Sequence, residues 1–174
     1  MEALEVEMRR AEGEQALQAL LPCVRERAGT LEAHAAEQGI FTRLWPIGLA
    51  ARQLYFAQRG TGEVGPAVTR ADGGLLPREQ TLRGRDDCSL FGTFAVPRTC
   101  DRTPGEPGIF SLEAQVNLPV RCDAYVLQEW MTLLAVEPPC QESPGFFAPL
   151  LDREVAESVL MAVLQEAPQD YEAV

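Results

Sequence analysis

Between residues 60 and 119 the helical repeat of apolar residues that marks both ends of the chain disappears, and Gly and Pro become frequent. Upstream and downstream, apolar residues recur every three or four positions, which is typical of amphipathic helices. A helical pattern interrupted by a turn-rich block favours an α+β chain over an all-helical or all-β one. We therefore predict a helical N-terminal segment over 1–59, a small central antiparallel β-sheet over 60–119, and a helical region over 120–174.

Residues 2–38 are expected to form two or three shorter helices rather than one. Their apolar residues recur at helical spacing from Leu4 onward, with Glu and Arg between them. Gly13 and Pro22 interrupt this pattern, and Pro inside a helix removes a hydrogen bond and clashes with the preceding turn. A further helix is expected over 47–58, after Pro46, with an apolar stripe that packs into a core.

The central region predicts a sheet of three or four short strands. Asp72-Gly73 is a strong hairpin signal between the segments 68–70 and 75–82. A longer strand is expected over 87–100. After a turn rich in Pro and Gly, 109–112 is the predicted return strand.

Three helices are predicted in the C-terminal region, and the last two resemble a helix-turn-helix. The segment 124–134 is apolar nearly all round and is expected to be buried. Ser143 before Pro144 favours a helix start. Asp152 can cap a last helix that ends before Pro168, with Val163 on its inner stripe. Two helices joined by a tight turn are the frame of many DNA-binding modules.

The charge distribution constrains any nucleic-acid partner. The net charge is −11, and all 15 basic residues are Arg. Residues 120–174 hold two Arg against ten acidic residues, whereas 59–102 hold seven Arg against six. Phosphate neutralisation by basic residues supplies much of DNA affinity, so the middle segment is the better candidate for phosphate contact. The predicted DNA-binding residues come from this segment and from the last helix: Arg83, Arg85, Arg98, Arg153, Ser158 and Gln165.

No pattern in the sequence predicts an enzyme, a metal site or a cofactor. The five Cys residues include no C-x-x-C pair and the chain has one His, which argues against a zinc site. Phosphate-binding Gly loops and hydrolase or metalloprotease signatures are absent from the sequence. The chain shows neither a signal peptide nor an apolar run of about 20 residues, so we expect a cytoplasmic protein with reduced thiols and no membrane partner.

Two strings of the sequence resemble the ISKra group of insertion-sequence transposases, which are of the DDE type. The first is RDDCSLFGTFAVPRT over 85–99, and the second is PGEPGIFSL over 104–112, followed by VNLP over 116–119. The segment 127–131 and the helix-turn-helix-like stretch 145–164 continue the resemblance in the same order. It covers roughly residues 50–174, and it depends on these strings rather than on the N-terminal helices.

The resemblance implies the N-terminal region of a transposase, which holds element-end DNA. The metal-bound carboxylates of the family lie downstream of the matching segments, so no catalytic residue is carried over. This chain is interpreted as a fragment truncated before the catalytic domain. It departs from the family by placing acids where aromatic residues are expected in packed surface: Asp87, Asp101 and Asp123.

Two functions follow as expectations. In the first, the chain is a non-catalytic, DNA-binding transposase fragment whose partner is the transposon ends. In the second, it is a protein-interaction or regulatory module without DNA binding. Such a module would form a homo-oligomer or bind full-length transposase.

Overall fold

The structure, a computed structural model, describes residues 2–70, 72–136 and 162–163. The chain forms two compact units, of which the first comprises residues 1–85 and 94–117 and the second comprises 86–93 and 118–174. The described elements mix helix and sheet, as the α+β prediction requires. In chain order they are α1 (Glu2–Arg27), α2 (Ala33–Arg59), β1 (Ala67–Thr69), β2 (Leu75–Pro77), β3 (Arg83–Ser89), β4 (Gly92–Arg98), α3 (Ser111–Gln115) and α4 (Tyr125–Val136).

The N-terminal segment folds into two long helices, so the prediction of more than one helix over 2–38 is confirmed, but the breaks predicted at Gly13 and Pro22 are wrong. Helix α1 continues through Gly13 and Pro22, and α2 continues through Pro46 instead of beginning after it. Both prolines are exposed, and so are Gln18 and Thr42, whose carbonyl groups lose their helical donor to the proline. Water can solvate these carbonyls, which removes part of the cost of an interior proline. The break between the helices falls instead at residues 28–32.

The hairpin predicted around Asp72-Gly73 is confirmed. Strands β1 and β2 pair antiparallel, with Val68 opposite Leu76. Gly73 has a φ of 83°, a conformation that a residue without Cβ adopts readily. Within the same turn, the Gly74 backbone N–H donates to Asp72 Oδ1 over 2.9 Å.

The single strand predicted over 87–100 is wrong, because the chain reverses inside it. Strands β3 and β4 form a two-stranded sheet joined by a two-residue turn at Leu90-Phe91. Ser89 Oγ donates to the Gly92 carbonyl over 3.0 Å and accepts from the Phe91 backbone N–H over 3.2 Å, which ties the turn together. Two two-stranded sheets therefore replace the predicted sheet of three or four strands in the described residues.

The predicted return strand over 109–112 is also corrected. Only Ile109 pairs as a strand, through a bridge to Asp101, and the chain then enters α3. Leu112 of α3 is fully buried in the first unit, together with Leu76 and Val96. The remaining buried apolar residues of this unit are Ala50, Phe56 and Cys100.

In the second unit, α4 is confirmed as a helix but not as a fully buried one. Leu127 and Met131, four residues apart on one face, are completely buried. Tyr125, Val126 and Leu133 are each more than half exposed, at 52%, 53% and 58%. The apolar composition of this helix therefore exceeds what the core of the unit takes up.

Most of the predicted helix-turn-helix lies outside the described residues. Within the part that is described, residues 162–163 are helical and Val163, which was placed on the inner stripe, is buried. No helix among the described residues combines the length and apolar character that crossing a bilayer requires.

Candidate functional site

Three of the six predicted DNA-binding residues lie in β3 and β4, and all three are paired with carboxylates. Arg83 Nε donates to Glu79 Oε2 over 2.9 Å, and this hydrogen bond lowers the pKa of Glu79. Arg85 donates to Glu113 Oε1 over 2.7 Å, and Arg98 contacts the same oxygen. Outside the described residues lie the other three: Arg153, Ser158 and Gln165.

Glu113 joins the arginines of both strands to α3. The side chains of Arg85 and Arg98 are only 13% and 10% exposed, and that of Glu113 is 32% exposed. The Arg98 guanidinium also lies 4.1 Å from the centroid of the Phe110 ring, within the range of a cation–π contact. A DNA phosphate would therefore compete with Glu113 for both guanidinium groups. Sequence reasoning missed Glu113 because it lies 15 and 28 positions from its partners.

The three acids that depart from the transposase pattern all lie in packed positions. Asp87 and Asp123 are each 3% exposed, and Asp101 is completely buried. Arg78 Nε lies 3.8 Å from Asp101 Oδ1, too far for a hydrogen bond, and neither carboxylate oxygen of Asp101 accepts one from the described residues. Burying a carboxyl group without hydrogen-bond partners costs free energy, so Asp101 is expected to lower the stability of the first unit.

Asp123 belongs to a cluster with two cysteines in the second unit. One carboxylate oxygen of Asp123 and the Sγ atoms of Cys88 and Cys122 all lie within 4.8 Å of one another. Cys122 is exposed, Cys88 is partly buried and Asp123 is buried. Burial, followed by the charge of Asp123 and the hydrogen bond with Cys88, raises the pKa of the Cys122 thiol. We call these three residues the Cys–Asp cluster.

Backbone pairing brings the Cys–Asp cluster together. Cys88, near the end of β3, donates its N–H to the Cys122 carbonyl over 2.9 Å, and Ala124 donates to the Cys88 carbonyl over 2.8 Å. These bonds set residues 122–124 parallel to β3, just before α4 begins. The two cysteines are 34 positions apart, so their sequence spacing carried no signal of a shared site.

A second candidate surface is the outer face of α2. Phe41, Leu44 and Tyr55 are 42%, 46% and 47% exposed, although all three are large and apolar or aromatic. Gly48 and Ala51 lie between them at the same heptad spacing, and Ala51 is exposed. We call these five residues the α2 seam. The Phe41 ring packs edge-on against Trp45, with centroids 5.1 Å apart, which fixes one large side chain in place.

The predicted apolar stripe over 47–58 included one of these residues. Ala50 and Phe56 are buried as expected, but Tyr55 is nearly half exposed. The position of each residue in the seven-residue repeat would have distinguished the exposed Tyr55 from the buried residues of the stripe. Phe41, Gly48 and Tyr55 recur every seven residues, whereas Ala50 and Phe56 lie on another face of the helix.

A pocket of about 540 Å³ opens where α2 ends, within the first unit. It is lined by backbone and side chains of both helices and of residues 60–63, and its lining includes no His, Cys or Asp. Its one carboxylate, that of Glu63, contacts Arg78.

No protein-family model, curated protein or solved structure matches this chain. The transposase resemblance therefore stays a prediction.

Proposed function

We propose that the chain is a protein-interaction module that pairs with a second copy of itself through the α2 seam. The observation that carries this proposal is the spacing of Phe41, Leu44, Gly48 and Ala51, which advances by three, four and three residues along one face. Gly48 is half-buried and the other three are exposed. Alternation of three and four is the a/d repeat by which helices pair in coiled coils. In this chain the repeat continues for four more residues, from Ala51 to Tyr55.

The seam is self-complementary in the antiparallel direction. The spacing of three, four and three reads the same from either end. Two antiparallel copies in register therefore set Phe41 against the partner's Ala51 and Leu44 against the partner's Gly48. Each contact places a large side chain over a small one, and alternation of this kind fills a helix interface without voids or overlap. This symmetry favours a second copy over an unrelated helix as the occupant.

The charge distribution also favours this surface for self-association. Residues 1–59 hold seven Arg and eight Glu, so they contribute only −1 of the net charge of −11. Residues 103–174 carry −10 of the net charge, so two copies that meet through that part of the chain bring like charges together, and like charges repel. Two copies that meet through the α1–α2 region avoid most of this repulsion.

The size of the seam limits the affinity. From residue 41 to 55 the helix advances about 21 Å at roughly 1.5 Å per residue. Burying the exposed half of each large seam residue stabilises by about 1 kcal/mol, or about 6 kcal/mol for two copies. Association costs at least about 4 kcal/mol, so these side chains leave a surplus of about 2 kcal/mol at most, and the dimer is weak, with a Kd on the order of 30 mM.

Sedimentation velocity on the full chain, from about 10 μM to about 1 mM, tests the proposal, because the dimer should be absent at the low end and reach roughly a few per cent at the high end. We expect a monomer–dimer equilibrium that Ala51→Glu shifts to the monomer, because a carboxylate would face the partner's Phe41. Ala19→Glu, the same substitution at an exposed position of α1, is the matched control and should leave the equilibrium unchanged. A monomer at every concentration refutes the proposal, and so does a dimer that Ala51→Glu leaves intact.

DNA binding by Arg83, Arg85 and Arg98 remains a prediction beside this proposal. The same purified chain, titrated with duplex carrying transposon-end sequence, should bind with an affinity that falls as salt rises. Glu113→Gln tests this prediction directly, because it removes the carboxylate that Arg85 and Arg98 share. If those arginines contact phosphate, this variant binds DNA more tightly than the parent chain. Unchanged affinity would assign the arginines to the fold alone.

A further inference from the structure

The Cys–Asp cluster presents three potential ligand atoms to one point of the second unit. We propose that Cys88, Cys122 and Asp123 bind a single Zn²⁺ ion, with water as the fourth ligand. This departs from the sequence-based expectation of no metal site. It is also independent of the proposed self-association, since the seam lies in the first unit.

The donor set selects the class of cation. Two thiolates exclude Mg²⁺ and Ca²⁺, which take oxygen ligands, and favour softer ions. A carboxylate beside the two sulfurs suits Zn²⁺, which accepts Cys and Asp or Glu in one tetrahedral site. Three protein ligands with a water in the fourth position is a known zinc arrangement, and the exposure of Cys122 gives water access to it.

The distances require only a small closure of the cluster. Zinc bonds of about 2.3 Å to sulfur and about 2.0–2.2 Å to oxygen place tetrahedral ligand atoms about 3.3–3.8 Å apart. The three atoms already lie within 4.8 Å of one another. Side-chain rotations that move the ligand atoms by about 1 Å therefore bring them to zinc-binding distances. The backbone bonds that pair Cys88 with residues 122 and 124 can stay in place.

The surroundings balance the charge that binding creates. Zn²⁺ displaces one proton from each thiol, so the ion with two thiolates and a carboxylate carries −1. Arg121 Nε lies 3.5 Å from Asp123 Oδ2 and supplies the compensating positive charge. Behind the cluster, Gln128 Nε2 donates to the Asp123 carbonyl over 2.6 Å, which links the ligand segment to α4. Outer contacts of this kind hold ligands in position and tune metal affinity.

Two neighbouring cysteines could instead form a disulfide, and the position of Asp123 argues for the metal. A carboxylate adds nothing to a sulfur–sulfur bond, and its negative charge disfavours the thiolate that attacks during exchange. The same carboxylate attracts a cation and completes its ligand set. A Cys88–Cys122 disulfide is therefore the competing outcome of the test.

The test is titration of the reduced full chain with Co²⁺, a spectroscopic substitute for Zn²⁺, followed by displacement with Zn²⁺. We expect one Co²⁺ per chain, with the sulfur-to-cobalt charge-transfer absorption that thiolate ligands give. Cys122→Ser and Asp123→Asn should weaken binding by more than the 10–100-fold that loss of an outer contact typically costs, and Arg121→Gln by about 10-fold. Cys23→Ser, in α1, is the cysteine control and should bind as the parent does.

A second measurement keeps the test decisive if a variant does not fold. In the unaltered chain, Zn²⁺ should protect Cys88 and Cys122 from alkylation, but not Cys23, as read by mass spectrometry of peptides. The proposal is overturned by Co²⁺ binding without charge-transfer absorption, by equal loss in Cys23→Ser, or by absence of protection. Isolation of a Cys88–Cys122 disulfide that persists in the presence of Zn²⁺ overturns it as well.

Discussion

Gly62→Ala tests whether α3 is held in place by close approach of the chain that follows α2. Gly62 has a φ of 80°, and a Cβ atom there would lie 2.5 Å from the Leu112 backbone nitrogen and 2.8 Å from its Cα. Neither segment can easily withdraw. The backbone N–H of Thr99 donates to the Thr61 carbonyl over 2.9 Å, and Leu112 is fully buried. The substitution therefore forces α3 away from its position.

The expected cost combines three effects. A left-handed conformation costs a residue with Cβ about 1–2 kcal/mol. Loss of backbone freedom in the unfolded chain returns about 0.4–1 kcal/mol. Overlap with packed backbone adds about 1–3 kcal/mol. We expect Gly62→Ala to lower the free energy of unfolding by about 2–4 kcal/mol, which is roughly 4–16 °C in Tm for a chain of this size.

The matched control is Gly73→Ala in the β1–β2 turn. Gly73 has nearly the same φ, 83°, but a Cβ there would meet nothing within 4 Å. It retains the conformational cost without the overlap, so its effect should be about 1 kcal/mol or less. Urea unfolding followed by circular dichroism measures both. If Gly73→Ala destabilises as much as Gly62→Ala, the contact with Leu112 is not what restricts this position.

Three further predictions concern ionisable groups. Glu113→Gln should lower the free energy of unfolding by about 2–4 kcal/mol, as measured by urea titration. This loss is smaller than for a fully buried ion pair because the Glu113 side chain is about a third exposed. Arg83→Ala should leave the urea midpoint unchanged, since its side chain is half exposed. Burial raises the pKa of the Cys100 thiol above its usual 9.0, so the folded state holds this proton more tightly than the unfolded chain does. Stability should therefore fall as pH rises above 9, and Cys100→Ala should flatten that dependence in unfolding measured at each pH. Equal pH dependence in both chains would contradict this last expectation.

Local patterns in the sequence predicted the elements whose stability is local. The helical spacing over the N-terminal segment, the Asp72-Gly73 turn and helix α4 all appear in the structure. Interior prolines were interpreted as helix breaks, although Pro22 and Pro46 lie at exposed positions where water can solvate the freed carbonyls. The β3–β4 reversal was missed because Leu90-Phe91 carries no Asn-Gly or Asp-Gly signal.

The two candidate sites differ in how much the sequence indicates about them. The heptad spacing of the α2 seam is visible in the sequence, but only the exposure of Phe41, Leu44 and Tyr55 shows that the first unit leaves these side chains accessible. The Cys–Asp cluster had no sequence signal at all, since strand pairing brings together residues that are 34 positions apart.

The amino-acid sequence by itself determined the helical character of the N-terminal segment and of α4, the Asp72-Gly73 turn, and how charge is divided along the chain. These follow from side chains and backbone preferences within a few residues of each other. Tertiary structure alone decided that Glu113 neutralises Arg85 and Arg98, and that Cys88 meets Cys122 and Asp123. Such contacts join distant segments, and their free energy depends on burial and distance, which residue spacing does not encode.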